Sequence, residues 1–376
     1  MEILRRETLR RQFPTLSGAG GADLVRLFDL VGPVQSQAAR APFLAAAARL
    51  PGVTVATATE AFEQHQLVLG SNLRGTVHTS TAGQFRLLQA VCEPLRAADL
   101  RRSLGLLHTE PADVLAEIER VAADDWRDRG YLVGQVGQWL DRVDPNPDRP
   151  APTTFSENVI WGHPSLLRRP RGHGWHRRGD TVHRLAAGVL PAAVAPAEVA
   201  VARRALVRLH LAAHGPATRR DIAWWLGEKL TPVDEAVRQL GEELISRPGP
   251  GRDPLLDLVE APCRGNPDPG VRLLPEFDGL VLGFAPENRD RFLRPEHLPL
   301  VWNRANGTFS PLVLVDDHLA ATWRLTRRRG RTTLEVIALP GEPAVDVGRF
   351  TDPVAAVAAA LDQPIDDVDV RPVATR

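Results

Sequence analysis

The sequence predicts an α+β protein in which winged helix-turn-helix architecture is joined to a β-rich C-terminal domain. Residues 195–260 read helix, helix, helix, hairpin, which is the order of a winged helix-turn-helix unit. From about residue 266 onward, short apolar runs separated by turn residues replace helical periodicity. A third observation gives this frame a candidate site. Val34-Gln35-Ser36-Gln37 follows a Gly32-Pro33 break, and Arg74-Gly75-Thr76-Val77-His78 comes later in the same N-terminal region.

The elements follow in order. Ala22 to Val31 places Leu24, Leu27, Phe28 and Val31 on one helical stripe. Phe43 to Leu50, closed by Pro51-Gly52, and Thr59 to Gln66 read as two further helices. Residues 86–145 are again helical; the clearest stretch, Val114 to Arg129, keeps Val114, Leu115, Ile118, Val121 and Ala122 on one face and ends at Gly130. The run from Asp144 to Pro152 holds four prolines and marks a boundary. A helix from Ala197 to Ala213 stops at His214-Gly215-Pro216, and Thr218, with Asp221 three residues on, caps a short helix through Leu226. The next helix has Thr231 as its cap and Val233, Ala236, Val237, Leu240 and Leu244 as its apolar face, before a hairpin over Ile245–Val259.

Beyond it, strand-like runs occur at Val271–Leu274, Leu280–Phe284, Pro311–Val315, Ala320–Leu325 and Thr333–Leu339, with a turn at Asp316-Asp317-His318. A last helix covers Val354–Leu361. These breaks divide the chain into 1–85, 86–150, a basic connecting segment 151–194, a winged-helix unit 195–262 and a β-rich domain 263–376, with a barrel as one form that domain could take.

Composition bounds the chemistry. A chain of 376 residues with 43% hydrophobic residues can bury a sizeable core. No apolar run reaches membrane-spanning length, and the first residues lack the apolar core of a signal peptide. Cys92 and Cys263 form no metal or redox spacing. A reducing, cytoplasmic setting is expected, without metal or cofactor. Basic and acidic residues balance at 46 each, so DNA binding requires positive charge gathered on one face. Lys229 is the sole lysine, a trait read first as genomic base bias; amine-based covalent chemistry has almost no candidate.

Gln35 and Gln37 share a side only if the backbone there is extended, because side chains alternate faces in a strand. On a helix they would splay by about 200°. An extended pair aims two neutral amides at one small target, such as a water or a sugar.

Five segments occur together in order: Gln35-Ser36-Gln37; Arg74 to His78; His214-Gly-Pro-Ala-Thr218 with Trp224-Trp225; Leu274-Pro-Glu-Phe-Asp278; and Ser310 to Asp316 with Trp323. In these the chain resembles the winged-helix DNA glycosylases of the AlkZ/YcaQ type, the helix-turn-helix 42 superfamily, over about residues 20–330. The resemblance implies about three tandem winged-helix units and a C-terminal barrel-like element forming a C-shaped DNA clamp. It implies excision of alkylated purines, N7-alkylguanine and N3-alkyladenine, with bulky and crosslinked adducts included. By resemblance Gln35 and Gln37 are the catalytic pair of the Gln-x-Gln subgroup, the form found in glycosylases that guard antibiotic producers. Ser36 departs from the apolar residue usual there. The expected partner is double-stranded DNA carrying such lesions, met by a monomer on the bacterial nucleoid.

The chemistry suits two amides. Alkylation makes the purine cationic, so it departs without strong acid help, and the protein has to place a water and stabilise an oxocarbenium-like sugar. A glutamine cannot take a proton at neutral pH, so Gln37 is a positioner, and positioning with fixed dipoles supplies several kcal/mol. With no amine nucleophile at hand, a monofunctional enzyme is expected.

The supporting residues stand less sharply. Arg74 reads as a phosphate ligand or as half of a structural ion pair, and Thr76 lies in the same element. His78 reads equally as facing DNA or as a satisfied structural histidine. Arg168, Arg169, Arg171, Arg177 and Arg178, interleaved with Trp161 and Trp175, suit phosphate tracking or a solvated loop. Arg327 to Arg331 reads as a charged hairpin end, Asp278 as a cap, and Trp224 and Trp225 as core aromatics. The competing function is a non-catalytic winged-helix DNA-binding regulator, with a protein-interaction scaffold behind it.

Overall fold

The computed structural model describes residues 1–149, 159–191, 197–262, 265–303, 305, 307–342 and 345–371. Four helices open the chain: α1 (Glu2–Gln12), α2 (Gly21–Val31), α3 (Ala41–Arg49) and α4 (Val55–Glu63). The expected stripe on α2 is buried throughout. Helix α4 starts four residues before the expected Thr59, because Thr54 caps it by accepting from the Thr57 N–H at 3.1 Å.

Six strands then assemble into one antiparallel sheet: β1 (Val34–Gln35), β2 (Leu67–Ser71), β3 (Val77–Thr81), β4 (Arg127–Asp128), β5 (Leu166–Pro170) and β6 (Thr181–Leu185). Their order is β1-β3-β2-β5-β6-β4. The expected units 1–85, 86–150 and 151–194 therefore share a sheet, and the basic segment is a hairpin within it rather than a connection. Residues 150–158 and 192–196, where two of the boundaries fall, lie outside the described residues. Gly70 in β2 has a packing reason: a Cβ there would stand 2.5 Å from the ring of the fully buried Phe85.

Helices α5 (Ala82–Ser103), α6 (Pro111–Val121) and α7 (Arg129–Val143) follow, α5 running directly out of β3. The helix expected to run from Val114 to Arg129 in fact ends at Val121, where its apolar periodicity also stops. Gly130 terminates nothing; it sits in the first turn of α7, where Asp128 caps by accepting from the Tyr131 N–H at 2.8 Å.

The winged-helix unit has the expected order, built from α8 (Val199–His214), α9 (Arg219–Leu226), α10 (Leu230–Leu240) and a wing of β7 (Leu244–Arg247) and β8 (Leu255–Leu258). Thr231, however, lies inside the first turn of α10 rather than capping it, and Leu244 starts β7 rather than extending the helix. Thr218 and Asp221 form a reciprocal capping box at the start of α9. Trp225, Leu206, Leu211, Ile222, Val233 and Leu240 close the core of this unit.

In the C-terminal region β9 (Val271–Leu274) leads to a small ribbon, β10 (Trp302–Asn303) with β11 (Thr308–Phe309). Strands β12 (Leu312–Val315), β13 (His318–Arg328), β14 (Arg331–Ala338) and β15 (Asp367–Arg371) complete an open sheet of order β15-β14-β13-β12-β9. It is not a closed barrel. Helix α11 (Thr351–Leu361) carries the chain across so that β15 lies parallel to β14. The expected strand Leu280–Phe284 is instead a helical turn, Gly279–Leu282, because Asp278 accepts from the Leu280 N–H and starts a helix. The arginines after Thr326 mark the exposed β13–β14 hairpin end.

The first and last parts of the chain share one core. Leu24, Phe28, Phe43 and Leu44 pack against Leu273, Val313, Trp323 and Val336. Two buried two-pronged ion pairs pin the regions together: Arg11 with Asp257 at 2.8 and 2.9 Å, and Arg49 with Asp278 at 2.9 and 2.9 Å. Breaking such a pair strands a buried charge, at about 3–5 kcal/mol.

Candidate active site

The sequence bends as required at Gly32, whose positive φ of 80° ends α2 and releases the chain into β1. In β1, Gln35 stands opposite His78 of β3, and Ser36 continues the ladder by donating its N–H to the Val77 carbonyl at 2.7 Å. Strand β1 ends at Gln35 and the chain bends at Gln37, and the two amides meet: Gln35 Nε2 donates to Gln37 Oε1 at 2.6 Å. Gln35 is buried and Gln37 is exposed. Ser36 is buried between them, with its hydroxyl paired to Thr79 Oγ1 at 2.9 Å and the Val34 carbonyl at 2.8 Å. The loop thus accommodates a serine at its apolar position without an unmet hydroxyl.

Arg74 fixes which way the amides face. Its Nη2 donates to Gln35 Oε1 at 3.1 Å and its Nη1 to the Trp225 carbonyl at 2.7 Å. A guanidinium only donates, so the Gln35 oxygen must face Arg74 and its NH₂ must face Gln37. Gln37 then accepts through one lone pair and keeps its second lone pair and its whole NH₂ group for the open side. Arg74 stacks on Trp224 at 4.4 Å, and Arg289 stacks on the same indole at 4.7 Å. Burial, with Arg289 adding repulsion, lowers the Arg74 pKa to about 10, still charged at neutral pH. Arg74 adopts positive φ, and the left-handed Gly227 at the end of α9 packs so closely that a Cβ there would lie 3.3 Å from the Arg74 backbone.

His78 is 1% exposed and donates Nδ1–H to the Thr76 carbonyl at 2.9 Å. Burial, with Arg74 adding repulsion, drives its pKa down to about 3, so it is neutral and structural in character. It does not reach an open surface. Thr76 closes its own turn on the Leu73 carbonyl at 3.1 Å. Gln35 also lines a small pocket of about 20 Å³ with Gln12, Arg49, Arg74, His78 and His214, enough room for one water.

On the other side, Gln37 opens into a cleft of about 820 Å³. The β5–β6 hairpin forms its far wall and contributes Arg168, His173, Trp175, Arg177 and Arg178. That hairpin is anchored: Trp175 stacks on Phe62 at 4.5 Å and donates Nε1–H to Glu63 at 2.7 Å. Arg177 and Arg178 are exposed at the lip. Arg169 and Arg171 are exposed but are not among the residues that line the cleft; Arg169 lies over Trp126 at 5.1 Å and Arg171 stands 3.8 Å from Asp128.

Arg168 departs from the expected phosphate ligand. It is 3% exposed, donates to Ser71 Oγ at 2.7 Å and to the Trp161 carbonyl, and stacks on the Trp161 ring at 3.8 Å. Burial, with Arg129 adding repulsion, lowers its pKa to about 9. It supports the indole rather than meeting solvent, because alternation along β5 turns it inward where Arg169 turns out.

Two cleft residues had no role in the sequence reading. Glu276 was noticed only as part of Leu274–Asp278, and Arg40 not at all; they form an ion pair at 2.6 Å across the cleft wall. No spacing signal joins positions 236 apart. Among the described residues no group of His, Cys, Asp and Glu could hold a metal, and no helix is long and apolar enough to cross a membrane.

A family model described as DNA glycosylase AlkZ-like matches residues 28–367. Among solved structures, the DNA glycosylase AlkZ of Streptomyces sahachiroi is similar with a TM-score of 0.81 and 20% identity, covering 99% of this chain and 99% of that one. At that identity the likeness bears on the fold. No curated protein matches the sequence. The family match runs through the Gln pair, the cleft and the winged-helix unit, and the regulator without catalysis gives way to it: the chain belongs to the AlkZ-like DNA glycosylase family.

Proposed function

We propose that this glycosylase is monofunctional and excises cationic alkylpurines, N7-alkylguanine and N3-alkyladenine, from double-stranded DNA. Bulky and crosslinked adducts fall within that class, and self-resistance to a DNA-alkylating natural product is the role that fits it. The observation that carries the reading is the chain Arg74 → Gln35 → Gln37, which ends in an exposed amide at the rim of the cleft.

Gln37 is the residue that meets substrate, and Gln35 and Arg74 position it. The free lone pair of Gln37 Oε1 accepts from a water, and its NH₂ holds a sugar or phosphate oxygen. The C1′–N9 bond of N7-alkylguanine breaks with its electron pair leaving on the base, which departs neutral because alkylation had made it cationic. In N3-alkyladenine the same bond breaks in the same sense. Water oxygen bonds to C1′ and its proton passes to bulk solvent. Nothing in this sequence needs a strong acid, and undamaged purines, poor leaving groups, are left in place. Arg177 and Arg178 take phosphate in this reading, which their exposure at the lip supports. Lys229 lies exposed at the start of α10 and lines neither cavity, which supports hydrolysis without strand cleavage.

Single-turnover excision from a duplex bearing one N7-methylguanine tests the reading. Gln37→Ala is expected to reduce the rate by roughly a hundredfold or more, as for loss of a key orienting dipole, and borohydride is expected to trap no protein–DNA adduct. Full activity in Gln37→Ala refutes the assignment of the amide, and a trapped adduct refutes the monofunctional chemistry.

A further inference from the structure

Glu276 places a carboxylate in a site otherwise read as having no acid. It lines the same cleft as Gln37 and Ser36 and is 9% exposed. Both Arg40 donors converge on one oxygen: Nε at 3.0 Å and Nη2 at 2.6 Å, each to Oε1. The second oxygen, Oε2, is buried and has no hydrogen-bond partner among the described residues. This differs from Arg49 with Asp278, where each carboxylate oxygen takes one prong. A buried acceptor left unmet is destabilising and calls for a reason, a ligand that completes it being one.

The chemistry of DNA narrows what that ligand can be. Phosphate and deoxyribose within a strand offer acceptors and negative charge, which a carboxylate repels. Hydrogen-bond donors in DNA are N–H groups of the bases. We propose that Glu276 is a nucleobase-recognition residue whose Oε2 accepts a hydrogen bond from the N–H edge of the purine to be excised. This rests on the reading of alkylpurines as substrate. Alkylation at N7 draws electron density from the ring and sharpens N1–H and the amino group as donors, so the same carboxylate favours the damaged base. The N1–H is engaged while the base is paired, so a base that offers it to Glu276 has left its pair, whereas the outer N–H of the amino group stays open in a groove of the duplex. Trp161 and Phe277 line the same cleft.

Glu276→Gln is the discriminating variant. Arg40 still requires an acceptor at the Oε1 position, so the amide oxygen goes there and the NH₂ takes the place of Oε2. Size and the Arg40 contact are kept while an acceptor becomes a donor. On a duplex with one N7-methylguanine, E276Q is expected to excise roughly ten- to a hundredfold more slowly, the scale of a mismatched buried hydrogen bond. Binding to the same duplex carrying a tetrahydrofuran abasic analogue, which has no base edge to read, should stay within about twofold by the same reasoning. Glu276→Asp, which keeps the acceptor but withdraws it, should fall between wild type and E276Q. Wild-type excision by E276Q, parallel loss of excision and analogue binding, or E276D slower than E276Q each overturns the inference. An active wild type with an unaffected E276Q sinks the inference alone; a wild type inert toward the lesion sinks the alkylpurine reading first.

Discussion

Replacing Arg74 with methionine removes the guanidinium fork while keeping an apolar stem against Trp224. Two contacts go: the 3.1 Å bond to Gln35 Oε1 and the 2.7 Å bond to the Trp225 carbonyl. A charge-assisted bond of this kind is worth about 1.5–3 kcal/mol. If it acts in the transition state, through the orientation of Gln37, the rate falls by roughly ten- to a hundredfold, at 1.36 kcal/mol per decade. The loss should appear in kcat with KM little changed, because the amide is misdirected but the binding surface is intact. Two controls separate this role from the phosphate contact that the sequence also allowed. A phosphate ligand contributes about 0.9 to the slope of log K against log salt for duplex DNA, so a positioning Arg74 leaves that slope unaltered in Arg74→Met. In a Gln35→Ala background, Arg74→Met should add almost nothing, since both act through one chain of hydrogen bonds. Additive losses in the double variant, or a salt slope lowered by about one unit, would falsify the positioning role.

Two further outcomes follow from burial. His78, His163, His183 and His210 have pKa values lowered by burial to about 3, 4, 3 and 4. The unfolded chain takes up these protons near 6.5 and the folded one does not, so the stability is fully present above about pH 6.5 and is lost as pH falls below it. At pH 5 each histidine should contribute up to about 2 kcal/mol of destabilisation, and thermal unfolding followed from pH 7.5 to 5 should show a steep drop in Tm; a flat profile would refute the neutral buried assignment. Gly70→Ala sets a Cβ 2.5 Å from the Phe85 ring and should destabilise by about 1–3 kcal/mol in chemical denaturation, whereas Gly137→Ala on α7, where a Cβ meets nothing within 4 Å, should not.

Local signals were legible in the sequence at several segments that decide their own structure, although the nearby caps Thr54 and Asp128 were passed over. The capping box at Thr218 and Asp221, the helical spacing of α2 and α10, and the meeting of the Gln35 and Gln37 side chains could each be read because the partner residues lie within four positions. The reading failed where long-range pairing decides. Nothing near Leu166 announces that β5 pairs with β2, almost a hundred residues earlier, so the basic hairpin passed for a linker. Leu280–Phe284 is apolar enough for a strand, but Asp278 starts a helical turn there and at the same time receives Arg49. In the candidate site, the proximity of Gln35 and Gln37 could be read from their spacing, whereas the inward turn of Arg168 and the convergence of Arg40 on Glu276 depend on tertiary placement.

The same placement explains how a neutral pair can be held firmly enough for the water-orienting role proposed for it. Gln37 is exposed and its amide would rotate freely were Gln35 not fixed, and Gln35 is fixed from behind by a cation that cannot accept. Arg74 in turn owes its position to the winged-helix unit, through the carbonyl of Trp225, the face of Trp224 and the tight approach of Gly227. The orientation of the exposed amide therefore depends on how the winged-helix unit docks against the sheet that carries the Gln pair. A displacement of α9 by about an ångström at that contact would be transmitted to the amide through Arg74 and Gln35, and misplacement on that scale can cost on the order of a hundredfold in rate.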